Sequence, residues 1–462
     1  MSQNQQGSIS RRELLKRAGL ATTAATAAAG LLTGGALSQQ QAEPTAEPTA
    51  VVNTLGGGDK KISVWDGLGG PDGETFAKML KQFVEQNPDV QIQHETLDWS
   101  VYYQKVPTSI LAGSPPDLLV NDAYGMPQFA DRKMLRPLDD LIFGNKLLPK
   151  DDFSADELKL GTWNDHIYGI PLWNPIIGFW MNNDLVQKAG LDPKKPPMTG
   201  PEFAEWAVRL TTDKQGIHPD QKGFDPGKVE QYGVSMGWIF HSQLSTLWQF
   251  GGDITNADHT KCTLDAPESV QSLEYWVDLI KQHTHVPLVP PYVPATGTSY
   301  ASNKLAMVVE GSWWLNYFNS ENPKLKPPVT TMWELPQFGS KKSVWWTGHV
   351  MSIPAGGSDE KADTVAKLVA FLSDQTSWGA PEAGHLPARE SQKDLPEIQE
   401  SWWLAPLAQQ QREFGRLEWY SPDYNQIQNY YMAAWGSALT LQSSPQDALA
   451  QATKLIDGVL SR

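Results

Sequence analysis

Cysteine is almost missing from this chain: Cys262 is the single one in 462 residues. No intramolecular disulfide can form, and any metal would need other ligands. A lone thiol of this kind reads as a small buried hydrophobe. The motif H-E-x-x-H is absent, and the only close histidine pair, His283-Thr284-His285, reads as a solvated helix end, so no metal is expected. Phosphate loops are missing too. Gly67-Leu68-Gly69-Gly70-Pro71-Asp72-Gly73 lies between a strand pattern and a helix pattern but fits neither nucleotide fingerprint, so no cofactor is expected. Beyond the N-terminal region no apolar run is long enough to span a bilayer. Positive charge is the scarcer sign, with 37 Lys and Arg against 52 Asp and Glu, a net −15. That balance argues against nucleic acid or anionic lipid as partners.

What is present begins at the N-terminus. Arg11-Arg12 stand in a basic flank, and a small-residue apolar segment, Leu20 to Leu37, follows. Residues 1–38 therefore read as a twin-arginine export signal, which implies passage through the Tat translocase and work outside the cytoplasmic membrane, periplasmic or at the cell surface. No cysteine near the expected cleavage region could accept a lipid anchor. Residues 39–58, with a tandem Ala-Glu-Pro-Thr and Gly56-Gly57-Gly58, read as a disordered linker, so the folded body is expected to begin near Lys60. Its length suits two domains. Strand patterns at 61–65, 90–94, 118–121 and 305–309 alternate with helical apolar quartets. The quartets are Phe76, Met79, Leu80, Phe83; Phe203, Trp206, Ala207, Leu210; Leu273, Trp276, Val277, Ile280; and Val365, Leu368, Val369, Leu372. This is an α/β pattern, expected to give largely parallel sheets.

Aromatic residues are unusually plentiful: 19 Trp, 13 Tyr and 14 Phe. Most should pack at helix and domain contacts. A minority lining a groove would suit a ligand with flat apolar faces and polar edges, such as a sugar ring. Gly233-Val234-Ser235-Met236-Gly237 matches G-x-S-x-G, but its polar flank, Asp225 to Gln231, favours a Gly-flanked strand over a nucleophile elbow.

A set of segments in fixed order carries more. Pro116-Asp117-Leu118-Leu119-Val120-Asn121-Asp122 precedes Phe179-Trp180-Met181-Asn182-Asn183-Asp184-Leu185, then Trp248-Gln249-Phe250-Gly251-Gly252-Asp253, then Ala306-Met307-Val308-Val309-Glu310-Gly311-Ser312-Trp313, and finally Gly384-His385-Leu386-Pro387-Ala388-Arg389. Over about residues 60 to 460 the chain resembles the extracellular solute-binding proteins of ABC importers, in their carbohydrate-binding, maltose-binding-protein-like group. The resemblance implies the two-lobed, type II periplasmic-binding-protein fold, a Venus flytrap with hinge crossovers. The implied lobes are 59–173 plus 346–384 and 174–345 plus 385–462, with hinges near Pro171 to Trp180, Trp345 to His349 and Gly384. The implied function is a monomeric receptor that captures a sugar or oligosaccharide and delivers it to the ABC permease. Two other functions stay open: an exported carbohydrate-active enzyme using paired carboxylates, and a binder of polyamine or another non-sugar solute.

Gly311 and Trp313 fall on the family's G-x-W motif, whose aromatic stacks on a sugar ring; interlobe packing is the competing role for Trp313. Glu310 could accept sugar hydroxyls. Trp65 and Asp66 at the end of the first strand, and Asp122 and Tyr124 after the strand at 118, should reach the cleft. For the two carboxylates a helix N-cap or loop role competes. Trp346, Thr347 and His349 fall on a hinge strand. Asn174, Trp238 and Trp248 are further candidates, and Arg389 either touches ligand or makes a structural salt bridge.

Overall fold

The computed structural model describes residues 51–236, 239–286, 296–315 and 323–462. The expected export signal, Trp238 and Gly237 lie outside the described residues. In chain order the strands are β1 (Val51–Gly56), β2 (Lys60–Asp66), β3 (Val90–Thr96), β4 (Leu118–Asp122), β5 (Thr162–Trp163), β6 (His166–Ile167), β7 (Ile170–Asn174) and β8 (Ile177–Asn182). They continue as β9 (Thr212–Asp213), β10 (Val229–Met236), β11 (Leu305–Gly311), β12 (Thr330–Trp333), β13 (Val344–Trp345), β14 (His349–Ser352), β15 (Leu386–Pro387) and β16 (Gly415–Arg416). Two large sheets result, with strand orders β1-β3-β2-β4-β14-β7-β15 and β12-β8-β11-β10-β9.

Two sequence expectations change here. Residues 51–56, placed in the disordered linker, form an antiparallel edge strand on β3, with Val51 opposite Thr96 and Gly56 opposite Gln91. The β-branched Val51-Val52 pair suits a pleat, and the glycines that suggested a tether instead let the chain turn into β2. The sheets are also mixed rather than largely parallel. Pairing is parallel at β3/β2, β2/β4 and β10/β11, but antiparallel at β4/β14, β14/β7, β8/β11 and β12/β8. Helical crossovers make the parallel pairs, whereas strands that pass between the sheets enter each of them from the far side.

The helices follow their apolar spacing. Phe76, Met79, Leu80 and Phe83 form the buried face of Pro71–Gln86, and Val365, Leu368, Val369 and Leu372 that of Asp359–Asp374. Both helices cover the first sheet in one hydrophobic cluster. Phe203, Trp206, Ala207 and Leu210 in Gly200–Leu210 join Leu273, Trp276, Val277 and Ile280 in a second, larger cluster with β8 and β11. Cys262 is buried there, and burial pushes its thiol up to about 11. Ser235 is fully buried on β10 opposite Val308 of β11, as the plain strand reading expects. No helix among the described residues is long and apolar enough to cross a membrane.

Helix Gly200–Leu210 carries a complete capping box: Glu202 N donates to Thr199 Oγ1 at 3.4 Å, and Thr199 N to Glu202 Oε2 at 3.1 Å. Replacing Thr199 with Ala should cost about 1 kcal/mol. Urea unfolding would register this as a lower midpoint at unchanged slope.

The sheets are linked by short crossings. Only Pro175 and Ile176 separate β7 from β8. Ile176 forms an antiparallel bridge with Trp346, and Thr347 N donates to Pro175 O at 3.0 Å, so the crossing and the return run side by side. Gly384 closes helix Thr376–Ala383 at φ 80°, a conformation a side chain disfavours, and sends the chain into β15. Helix Leu404–Phe414 then packs on the second sheet, where Gln410 Nε2 donates to Ile177 O at 2.6 Å.

Candidate functional site

Register brings the first group together. Asp122 ends β4 directly opposite His349 of β14. Its carboxylate accepts hydrogen bonds from Tyr124 OH at 2.6 Å and Tyr103 OH at 3.1 Å, and faces His349 Nε2 at 3.3 Å. The Trp99 ring lies nearly parallel to both Tyr103 and His349, with centroids 5.7 and 6.1 Å away. Burial, and then the charge of Asp122, hold the Tyr103 and Tyr124 phenols well above their usual range, so both stay protonated as donors.

A second group faces this one from the C-terminal segment. Tyr424 stacks on Tyr124 at 5.1 Å, and Tyr420 OH pairs with Thr347 Oγ1 at 2.6 Å. Beside them opens a cleft of about 540 Å³. Trp163 of β5, Trp248 of helix Ile239–Phe250, and Trp419 and Tyr420 beyond β16 supply its aromatic wall. Trp248 Nε1 donates to Asp253 Oδ1 at 3.1 Å, while the Arg416 guanidinium covers the Trp248 ring at 4.6 Å and pairs with Asp253. His259 lies flat on Trp419 at 4.3 Å.

Glu418 forms the deep end. Trp345 Nε1 donates to Glu418 Oε2 at 2.8 Å, and burial pushes this carboxyl up to about 8. Trp345 also stacks on His241 at 3.5 Å, and Trp313 meets both rings edge-on, at 5.7 Å from His241 and 6.4 Å from Trp345. A Cβ on Gly311 would come within 2.2 Å of the Trp313 ring, so glycine there is a packing requirement. Glu310 is buried, accepts from Gly311 N at 2.8 Å, and is pushed up to about 7 by that burial.

The expected site residues therefore fall into three sets. Asp122, Tyr124, Thr347 and His349 form one constellation, and Trp248 lines the cleft. Glu310, Gly311 and Trp313 sit behind it at the end of β11. The others are engaged elsewhere. Asp66 is fully buried, bonded to His94 Nε2 at 2.5 Å and Leu68 N at 3.0 Å, and Trp65 lies under Lys105 at 4.1 Å. Asn174 donates to Glu157 at 2.5 Å, Trp346 is buried against the crossing, and Arg389 pairs with Asp152 at 2.7 Å and with Asp374.

Sequence reasoning missed Trp163, Arg416, Glu418, Trp419, Tyr420 and Tyr424. One signal pointed to three of them, Trp419, Tyr420 and Tyr424: the aromatic-rich stretch from Trp419 to Tyr431 belongs to no motif and no helical quartet.

The model of one protein family, bacterial extracellular solute-binding proteins, matches residues 69–376. A protein of Brucella abortus that is named as a binding protein is 22% identical over 348 residues, 75% of this chain and 80% of its own. The maltotriose-binding protein of Pyrococcus abyssi is 23% identical over 264 residues, 55% of this chain and 50% of its own. Among solved structures, the GacH receptor of Streptomyces glaucescens, determined unliganded and with acarbose, superposes with a TM-score of 0.73 at 17% identity, over 87% of this chain and 98% of that one. That likeness places the chain among two-lobed binding folds. With the family match covering most of its length, the chain belongs to the bacterial extracellular solute-binding proteins.

Proposed function

We propose that this protein is the substrate-binding receptor of an ABC importer, taking a sugar or oligosaccharide outside the membrane and passing it to the permease without chemical change. The observation that carries this is the cleft of about 540 Å³, walled by three indoles and edged by carboxylate and phenol oxygens. Rings of this kind cover the apolar faces of a pyranose while the oxygens meet its hydroxyls. The maltotriose and acarbose named for two relatives support the same class. In this reading the lobes are 59–173 plus 346–384 and 174–345 plus 385–462, with β1 added to the first. The crossings at 175–176 and 346–347 serve as the hinge, and closure is driven by ligand contacts that exist only in the closed state. Export by the twin-arginine route and action as a monomer belong to the same proposal.

Trp163, Trp248 and Trp419 give the test. Titration of the protein with maltotriose, mannotriose and tagatose should produce a saturable change in tryptophan fluorescence with at least one of them. Silence toward every neutral saccharide of a broad panel would remove the reading, and hydrolysis of any glycoside during the titration would replace it with the enzymatic one.

A further inference from the structure

The deep end of the cleft holds four buried polar groups from one short stretch of chain. Glu418 Oε1, Ser421 Oγ, Tyr424 OH and Tyr431 OH make no hydrogen bond of good geometry, the Tyr424 hydroxyl reaching only weakly toward Glu418 and Tyr431. All four residues line the cleft, and their exposures are 8%, 6%, 4% and 0%. Buried oxygens are nearly always paired in folded proteins, because leaving one unmet forfeits the hydrogen bonds that water gave it. Four together in one cavity wall are a site waiting for partners. Packing holds them in place. The Tyr431 ring stacks on Phe240 at 5.2 Å, Tyr424 stacks on Tyr124, and Trp345 anchors the second oxygen of Glu418.

We infer that Glu418, Ser421, Tyr424 and Tyr431 form a closed polar subsite that reads the hydroxyl groups of a neutral ligand and turns away an anionic one. This rests on the saccharide reading of the cleft and adds to it which end is read, by which atoms, and which ligand charge is refused. Three of the four groups are hydroxyls, which both donate and accept. A sugar hydroxyl does the same, so each contact can be satisfied in either direction. Burial raises the carboxyl to about 8 against the opposing pull of its hydrogen bonds from Trp345 and Tyr424, so at neutral pH it carries a proton and donates as well. A phosphate or carboxylate group offers acceptors only and brings a charge that needs a cation. The two cations lining the cleft are already engaged: Arg416 pairs with Asp253, and Lys159 pairs with Asp156 at 2.6 Å. An anion would enter beside three acidic side chains with no free counter-charge.

The experiment compares the wild-type chain with Glu418→Gln, Ser421→Ala and Tyr431→Phe by fluorescence titration at pH 7. The probes are the best-binding neutral saccharide of the panel and sn-glycerol 3-phosphate. The expected result is a loss of about tenfold in saccharide affinity for Glu418→Gln and about fivefold for the other two, each tenfold being about 1.4 kcal/mol. No saturable response to sn-glycerol 3-phosphate is expected. Tyr431→Phe removes one oxygen and keeps the ring on Phe240, so it reports even where Glu418→Gln fails to fold. Saccharide affinities within twofold of wild type in all three variants, or competition by sn-glycerol 3-phosphate as strong as that of the sugar, would overturn the subsite while leaving the receptor reading intact. A wild-type chain that responds to no neutral saccharide would overturn both.

Discussion

Thermal unfolding should shift to lower temperature as the pH is raised from 6.5 to 8.5, opposite to the trend that paired carboxylates give. The cause is burial of Glu310 and Glu418, pushed to about 7 and about 8 from the ordinary value of 4.5. Each binds its proton more tightly in the folded than in the unfolded chain. Their stabilisation is therefore complete below about pH 4.5 and is lost as the pH rises through the folded values. Each unit of displacement is worth about 1.4 kcal/mol, so the pair together supplies several kcal/mol at low pH. Glu157, which burial also pushes up to about 7, adds to the same trend, and the remaining shifted groups act outside this window. Burial lowers the pKa of His241 and His385, which makes stability rise with pH, but that effect ends near the ordinary histidine value of about 6.5. Cys262, near 11, and the buried phenols of Tyr420 and Tyr424 titrate above it. Melting curves at pH 6.5, 7.5 and 8.5 check the sign. Glu418→Gln should remove most of the slope between 7.5 and 8.5, and a flat wild-type profile would show that these carboxyls are solvated after all.

Lys393→Met should be the most damaging single change at the first sheet's rim, lowering stability by about 3–5 kcal/mol. Lys393 is 2% exposed, and its Nζ meets fully buried Glu157 at 2.9 Å and Glu390 at 2.7 Å. Asn174, the last residue before the crossing, bonds the same Glu157 oxygen. Burial pushes the Glu157 carboxyl up, and the Lys393 ammonium opposes it. Removing the ammonium leaves that carboxyl in an apolar setting, where it must either stay charged and unpaired or take up a proton. The double variant Glu157→Gln with Lys393→Met removes both charges and should recover most of the loss in urea unfolding. A single variant as stable as wild type, or a double variant as unstable as the single, would rule out the pair as the source.

Much of the fold was legible because it is local. Each helical quartet needs only its own spacing to define a buried face, and Phe76, Trp206, Leu273 and Val365 all point inward as that spacing requires. The edge strand at Val51 was not legible. Composition on both sides, Ala-Glu-Pro-Thr repeats and three glycines, outweighed the β-branched Val51, Val52 and Thr54, and the free edge of β3 gives that segment its hydrogen bonds. The site divides the same way. Sequence places both Asp122 and His349 toward the cleft, but their meeting comes from the register of β4 against β14. Asp66 ends a strand just as Asp122 does, yet it is consumed by His94 from the neighbouring strand.

The sequence by itself determined the four helical faces, the strands at 61–65, 90–94, 118–121 and 305–309, the two-lobed family and the abundance of rings, since each follows from short-range spacing or from segment order. Which rings and acids share a cleft was decided only by the tertiary structure. The chain crosses between the sheets at 175–176 and again at 346–347, and it closes on itself through Tyr420 and Tyr424. Those returns set Trp419 beside His259, 160 positions away, and Glu418 beside Trp345, 73 positions away, and no local periodicity encodes so distant a neighbour.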